Sequence, residues 1–91
     1  MDEIVKQTEA HFGLLDGELM SNSRFAYITE PRMLAALVAF MRGYKTGEIA
    51  AHFGREKAKV DTALIRIEQK IKDDEQWHEH LQNLLARVPV K

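Results

Sequence analysis

The sequence contains no cysteine, which excludes disulfides, zinc sites built from thiolates and cysteine nucleophiles. It also lacks a long apolar run, since the longest, MLAALVAFM at 33–41, is about half of what a membrane-spanning helix needs. The first residues do not combine a basic segment, an apolar segment and a small-residue cleavage site, so no secretion signal is expected. These absences predict a soluble, cytoplasmic protein that does not bind membranes.

The motifs of common enzymes are missing as well. There is no glycine-rich phosphate-binding loop, and no arrangement of serine, histidine and aspartate suited to nucleophilic catalysis. His78 and His80 are two positions apart on a predicted helix, whereas metal ligands on a helix usually need a spacing of three or four. A solvated helix face explains these histidines better than a metal site does. The sequence therefore predicts a protein that is not an enzyme and needs no cofactor.

The net charge is only −1, but the charges are unevenly distributed along the chain. Residues 42–72 contain eight basic and four acidic side chains, whereas acidic side chains outnumber basic ones on both sides of this segment. Because salt screens charges that are more than about 8–10 Å apart, phosphate binding depends on local rather than net charge. The segment 42–72 is therefore a candidate DNA-binding surface; an ordinary solvated helix face would give the same charge pattern.

Apolar residues recur at helical intervals, and no strand-like alternation persists. The chain length and this pattern predict one all-α domain, residues 1–91, with six helices. The third helix is apolar almost all round, so we expect it at the centre of the core. The expected helices are 2–12, a short turn from a cap at Asp16 to Met20, Pro31–Met41, 47–53 with Thr46 as its cap, Arg55 or Glu56 to Lys72, and a last helix that Asp73 or Asp74 caps and Pro89 ends.

The fourth and fifth predicted helices have the dimensions of a helix-turn-helix motif, with Gly54 at the turn. The apolar stripe of the fifth helix, Val60, Leu64, Ile67 and Ile71, is expected to face the core. The side chains opposite this stripe, at the start of the helix, would then enter a DNA major groove. A helical hairpin that only packs a core would show a similar pattern.

Three stretches resemble, in order, the C-terminal DNA-binding domain of the bacterial replication initiator DnaA: IVKQTEAHFGLLDGELMSNSR, PRMLAALVAFMRGYKTGEIAAHFG and REKAKVDTALIRIEQKIKDD. The resemblance runs from about Ile4 to Val88 and includes the PR of the third helix, the FG turn and the IE late in the fifth helix. It implies an all-helical fold, related to the helix-turn-helix of the Trp repressor, that recognises short boxes at replication origins.

The resemblance also implies roles for individual residues. Arg24 matches an arginine of the family's basic loop that enters the minor groove, and Arg32 matches an arginine that contacts phosphate. Arg55 matches the arginine of the family's RDHTT signature. The base-reading positions that follow it hold Glu, Lys, Ala and Lys at 56–59 in this chain.

Together, the residue pattern and the resemblance predict a protein that binds double-stranded DNA and regulates replication initiation or transcription, as a monomer or a homodimer. Lys45 and the free N–H groups behind Thr46 are expected to bind phosphate at a helix N-terminus. The predicted DNA contacts are Arg24, Arg32, Lys45, Thr46, Arg55, Glu56, Lys57, Lys59, Thr62 and Arg66. The alternative is a protein-interaction module that kept the fold and binds a replication protein instead of DNA.

Overall fold

The computed structural model describes residues 1–90 and contains five α-helices and one short 3₁₀ turn. The elements are α1 (Asp2–Phe12), the 3₁₀ turn (Glu18–Met20), α2 (Ala26–Met41), α3 (Thr46–Phe53), α4 (Lys57–Asp73) and α5 (Glu75–Arg87). No strand forms within residues 1–90. The prediction of an all-helical domain is therefore confirmed. In place of the second of the six expected helices there is only the three-residue 3₁₀ turn.

Helix α2 lies at the centre of the domain and contacts each of the other five elements. This position follows from its sequence, because it is apolar on nearly every side; Leu34, Ala35, Val38 and Ala39 are completely buried. The radius of gyration, 11.7 Å, is close to the value of about 12 Å for a compact chain of this length. Within residues 1–90, no helix is both long enough and apolar enough to cross a membrane.

Helix α2 begins at Ala26, five residues before the predicted start at Pro31. The proline was expected at the first helical position, where its missing N–H does no harm. Instead Pro31 lies inside the helix, and the two turns around it are held because Ile28 and Pro31 are both buried. Tertiary packing thus outweighs the helix-breaking tendency of one proline. As a consequence, Arg32 projects from the body of α2 and not from its first turn.

The short turn before α2 is organised by two glutamates rather than by the predicted Asp16 cap. Gly17 precedes the turn with a φ of 85°, and the Glu18 carboxylate accepts a hydrogen bond from the Leu15 backbone N–H (2.9 Å). The buried Glu9 carboxylate accepts another from the Leu19 N–H (3.0 Å). These bonds hold the fully buried Leu19 side chain in the core.

The last three helices follow the predicted boundaries to within one or two residues. In α4, Val60, Leu64 and Ile67 are buried and Ile71 is half-buried, which confirms the predicted stripe. Of the two predicted caps, Asp73 and Asp74, it is Asp74 that caps α5, its side chain accepting a hydrogen bond from the Gln76 N–H (2.9 Å).

The predicted cap of α3 was wrong. Thr46 is the first residue of the helix, and Lys45 is the residue that precedes it. The Glu48 side chain accepts a hydrogen bond from the Lys45 backbone N–H (3.0 Å), and so satisfies one of the donors at this helix end.

Candidate nucleic-acid interface

Helices α3 and α4 are joined by only three residues, Gly54, Arg55 and Glu56. Gly54 adopts a left-handed conformation with a φ of 64°, which a residue with a Cβ resists. The Arg55 N–H donates to the carbonyl of Ala50 (2.9 Å), so the chain turns sharply at the end of α3. The Arg55 side chain therefore lies beside the first turn of α4.

Two adjoining depressions form a groove between α2 and α4, which we call the α2–α4 groove. Its floor is apolar, since Met33 and Ala63 line both depressions. Cationic side chains from three elements surround this floor. The residues that line the groove are Thr29, Arg32, Met33, Ala36, Phe53, Arg55, Ala58, Lys59, Val60, Thr62, Ala63 and Arg66.

Spacing along α4 explains why its polar residues share this groove. Lys59, Thr62 and Arg66 are three and four positions apart, so they lie on the same helix face, and all three are exposed. The Thr62 hydroxyl donates to the Ala58 carbonyl (3.0 Å), which leaves its oxygen lone pairs available to accept from a ligand. One turn beyond Arg66, Lys70 forms an ion pair with Glu30 (3.1 Å). The groove face of α4 thus offers two exposed cations and one acceptor.

Arg32 is held by the segment that precedes α2. Its Nε donates to the Leu19 carbonyl (2.8 Å) and its Nη2 to the Ser21 carbonyl (2.7 Å). Weaker bonds run from Nη1 and Nη2 to the Ser23 carbonyl (3.4 and 3.3 Å). Most of the guanidinium donors are therefore directed at backbone carbonyls. The phosphate contact by Arg32 stays a prediction. The side chain also links the segment before α2 to the helix through these hydrogen bonds.

Arg32 and Arg55 bring two positive charges together at one end of the groove. Burial lowers the pKa of the Arg32 guanidinium, and the nearby charge of Arg55 lowers it further. Arg55 also approaches the Ser21 carbonyl through its Nη2 (3.5 Å). Because like charges repel, an anion placed between the two guanidinium groups would lower the electrostatic energy of this region.

Arg24 lies in the segment 21–25, next to this arginine pair. The segment is shaped by serine hydroxyls: Ser21 Oγ donates to the Glu18 carbonyl (2.7 Å), and the Phe25 N–H donates to Ser23 Oγ (3.2 Å). The Arg24 side chain itself is exposed. The segment predicted to probe the minor groove is thus fixed beside the α2–α4 groove through Arg32 and Arg55.

Six of the ten predicted site residues lie in or beside the α2–α4 groove, and four lie outside it. Arg32, Arg55, Lys59, Thr62 and Arg66 line the α2–α4 groove, and Arg24 lies on the neighbouring segment. The remaining four, Lys45, Thr46, Glu56 and Lys57, are outside its lining.

Lys57 is partnered on a different side of α4, where its Nζ forms an ion pair with Asp61 (3.3 Å). Lys45 and Thr46 lie at the start of α3. Sequence reasoning missed Met33 and Ala63 as floor residues, because their role depends on how α2 crosses α4.

A second polar cluster lies away from the groove, between α1 and α5. His11 Nε2 and His80 Nδ1 are 2.8 Å apart, and both rings pack against Phe12. Burial lowers the pKa of His11, and the charges of His80 and Arg87 lower it further. His80 was expected on a solvated face, so this contact corrects that prediction. Within residues 1–90, no three histidine or carboxylate side chains are placed to bind a metal ion together.

No protein-family model matches the chain, and no curated protein sequence matches it. A function for this chain therefore rests on its residue pattern and on the geometry of the α2–α4 groove.

Proposed function

We propose that this protein binds double-stranded DNA through a helix-turn-helix formed by α3 and α4. The observation that carries the proposal is the row of exposed cations in the α2–α4 groove, directly after a three-residue turn. The N-terminal half of α4 would enter the major groove, as recognition helices do. Lys59 and Arg66 would then reach phosphates or guanine edges, and Thr62 would accept from an adenine or cytosine amino group.

The electrostatics of the groove support a polyanionic ligand. Arg55, Lys59 and Arg66, together with Arg24 on the neighbouring segment, supply four cations in and beside the α2–α4 groove. If each neutralises one phosphate, the logarithm of the binding constant should fall with the logarithm of salt concentration with a slope of roughly −3 to −4. The repulsion between Arg32 and Arg55 favours an anion at the same place.

The sequence resemblance to the DnaA C-terminal domain supports a more specific proposal, in which the chain regulates replication initiation or transcription. The stretches that carry the resemblance include α2 from Pro31 onwards, the turn at Gly54 and the whole of α4. The reading positions at 56–59 hold residues different from those of the family, so we expect a different target sequence. Of these residues, Ala58 and Lys59 line the groove, and Lys59 is the charged one.

The test is fluorescence anisotropy with a pool of random labelled duplexes, at low and at physiological salt. The variant Lys59→Glu/Arg66→Glu removes two groove cations. A matched control, Lys6→Glu/Lys72→Glu, makes the same change in net charge with two exposed lysines outside the groove. Lys72 is six residues from Arg66, the nearest groove cation, which is about 9 Å along the helix and just beyond the screening length of about 8 Å at physiological salt. Circular dichroism verifies that both variants keep their helices.

We expect the wild type and the control to bind with the same salt dependence. The groove variant should bind at least tenfold more weakly, with a slope that is shallower by about two. Equal losses in both variants would show that only net charge matters and would contradict the proposed groove. A wild type that binds no duplex even at low salt would overturn DNA binding and favour the protein-interaction module instead.

A further inference from the structure

Two aromatic rings at the start of α2 are unusually exposed. Phe25 is 70% exposed and Tyr27 59% exposed. Their rings stack on each other, with centroids 6.0 Å apart and planes 23° from parallel. Neither ring is part of the buried core. Exposed aromatic clusters of this kind commonly mark a surface that contacts a ligand or partner.

The two rings are held in different ways. The Tyr27 hydroxyl donates to the Glu18 carboxylate (3.4 Å), which ties this ring back to the 3₁₀ turn. Phe25 is the more exposed ring, and its backbone is fixed by the hydrogen bond from its N–H to Ser23 Oγ. Phe25 is therefore an apolar ring on an ordered backbone, supported from one side by Tyr27.

The location of Phe25 points to DNA as the ligand. Arg32 binds the carbonyls of Ser21 and Ser23, the latter two residues before Phe25, and also lines the α2–α4 groove. The neighbouring residue Arg24 is exposed and cationic. An apolar ring flanked by cations matches a base step flanked by phosphates. A protein partner for the ring alone would leave the adjoining cationic groove unexplained.

We propose that Phe25 inserts as a wedge into a base step in the minor groove, next to the major groove that α4 occupies, and kinks the DNA there. This inference rests on the DNA binding proposed above. Apolar wedges in other minor-groove proteins unstack one step and bend the duplex towards the major groove. Pyrimidine–purine steps such as TA unstack most easily, so Phe25 selects such a step without any hydrogen bond to a base.

The test uses a duplex recovered from the random pool, carrying 2-aminopurine at each candidate step in turn and a donor–acceptor dye pair at its ends. The main variant is Phe25→Ala. Phe25→Leu retains an apolar wedge, and Phe40→Ala removes another exposed phenylalanine, 15 residues further along α2 and about 22 Å away. Anisotropy gives the affinity and its salt dependence for the wild type and each variant.

For the wild type we expect 2-aminopurine fluorescence to rise at one step and the end-to-end distance of the duplex to shorten. Phe25→Ala should lose both signals and bind about tenfold more weakly, with an unchanged salt slope because no cation is removed. Phe25→Leu should restore part of both signals, and Phe40→Ala should match the wild type.

Different results would overturn the wedge at Phe25 and the proposed DNA binding. If the wild type binds the duplex without any change in 2-aminopurine fluorescence or end-to-end distance, the wedge is overturned and DNA binding stands. The wedge is overturned in the same way if Phe25→Ala binds and bends DNA as the wild type does. If the wild type binds no duplex at all, both proposals are overturned.

Discussion

Replacing Arg32 with methionine tests whether this arginine stabilises the fold independently of DNA. Methionine keeps the apolar stem of the side chain but removes every hydrogen-bond donor. In the native protein these donors bind the carbonyls of Leu19, Ser21 and Ser23, which connect the 3₁₀ turn to α2. We therefore expect Arg32→Met to be less stable than the wild type when no DNA is present.

The magnitude follows from the two short bonds, to Leu19 (2.8 Å) and Ser21 (2.7 Å). A hydrogen bond that involves a charged group contributes about 1.5–3 kcal/mol. Arg32 is only half-buried, so water can hydrate some of the backbone carbonyls that the substitution leaves without a donor. We expect a loss of about 2 kcal/mol, well below the sum of two full contributions. A chain of this length has a free energy of unfolding of roughly 5–14 kcal/mol, so such a loss is readily measured.

Urea unfolding followed by circular dichroism measures this difference. Arg66→Met is the control, because Arg66 is exposed on α4 and its replacement should change the free energy of unfolding by less than about 0.5 kcal/mol. Arg32→Lys keeps the charge without the planar fork of donors and should lie between the wild type and Arg32→Met. A fully stable Arg32→Met variant that binds DNA weakly would refute the structural role and assign Arg32 to phosphate contact.

Two further substitutions test the turn and the histidine pair. Gly54→Ala should lower the free energy of unfolding by about 1 kcal/mol, because Gly54 has a positive φ. Gly47→Ala, inside α3, should raise it by about 0.5 kcal/mol, because alanine favours a helix more than glycine does. Equal effects of the two substitutions in urea unfolding would contradict this. Burial, His80 and Arg87 lower the pKa of His11 in the folded protein. As the pH falls, the unfolded chain therefore binds a proton at His11 before the folded protein does, and the free energy of unfolding should decrease below about pH 6.5. His11→Gln should make the urea midpoint depend less on pH, whereas His78→Gln, at an exposed position, should leave the pH dependence unchanged. A wild-type midpoint that does not change with pH would refute this role of His11.

Local patterns in the sequence were sufficient to predict most of the helices. The stripe of Val60, Leu64 and Ile67 recurs at helical spacing, and all three residues are buried in the structure. Asp74 was expected as a cap because an aspartate before a helix can satisfy a free N–H, and its carboxylate does so. Such features depend on residues a few positions apart, so one sequence contains enough information to find them.

The start of α2 could not be predicted in this way. Pro31 is a strong local signal for a first helical position, but the helix continues for five residues before it. What decides the outcome is that Ile28 and Pro31 are buried, in a helix that packs against every other element of the fold. Only the tertiary structure contains that information.

The candidate site shows the same limit at the level of side chains. The ten predicted contacts were chosen from helix faces and from the resemblance, which cannot say which of them share one surface. Lys57 and Lys59 look equivalent in the sequence, yet one forms an ion pair with Asp61 and the other lines the groove. The resemblance predicts a phosphate contact for Arg32 and gives no sign that it also binds carbonyls of residues 9–13 positions earlier. The surface that each of these side chains shares therefore depends on tertiary contacts, which residue spacing does not give.

The slightly acidic net charge is compatible with DNA binding for a physical reason. Ten of the fourteen carboxylates lie outside residues 42–72, among them Asp2, which pairs with His52 (3.4 Å), and Asp74, which caps α5. At physiological salt, charges act within about 8 Å, so carboxylates farther than this from the α2–α4 groove hardly reduce the field of its cations. They do reduce the long-range attraction that would hold the protein on any DNA. A chain with this charge arrangement should therefore depend more on its local contacts, including the wedge at Phe25, than a uniformly basic protein of the same size would.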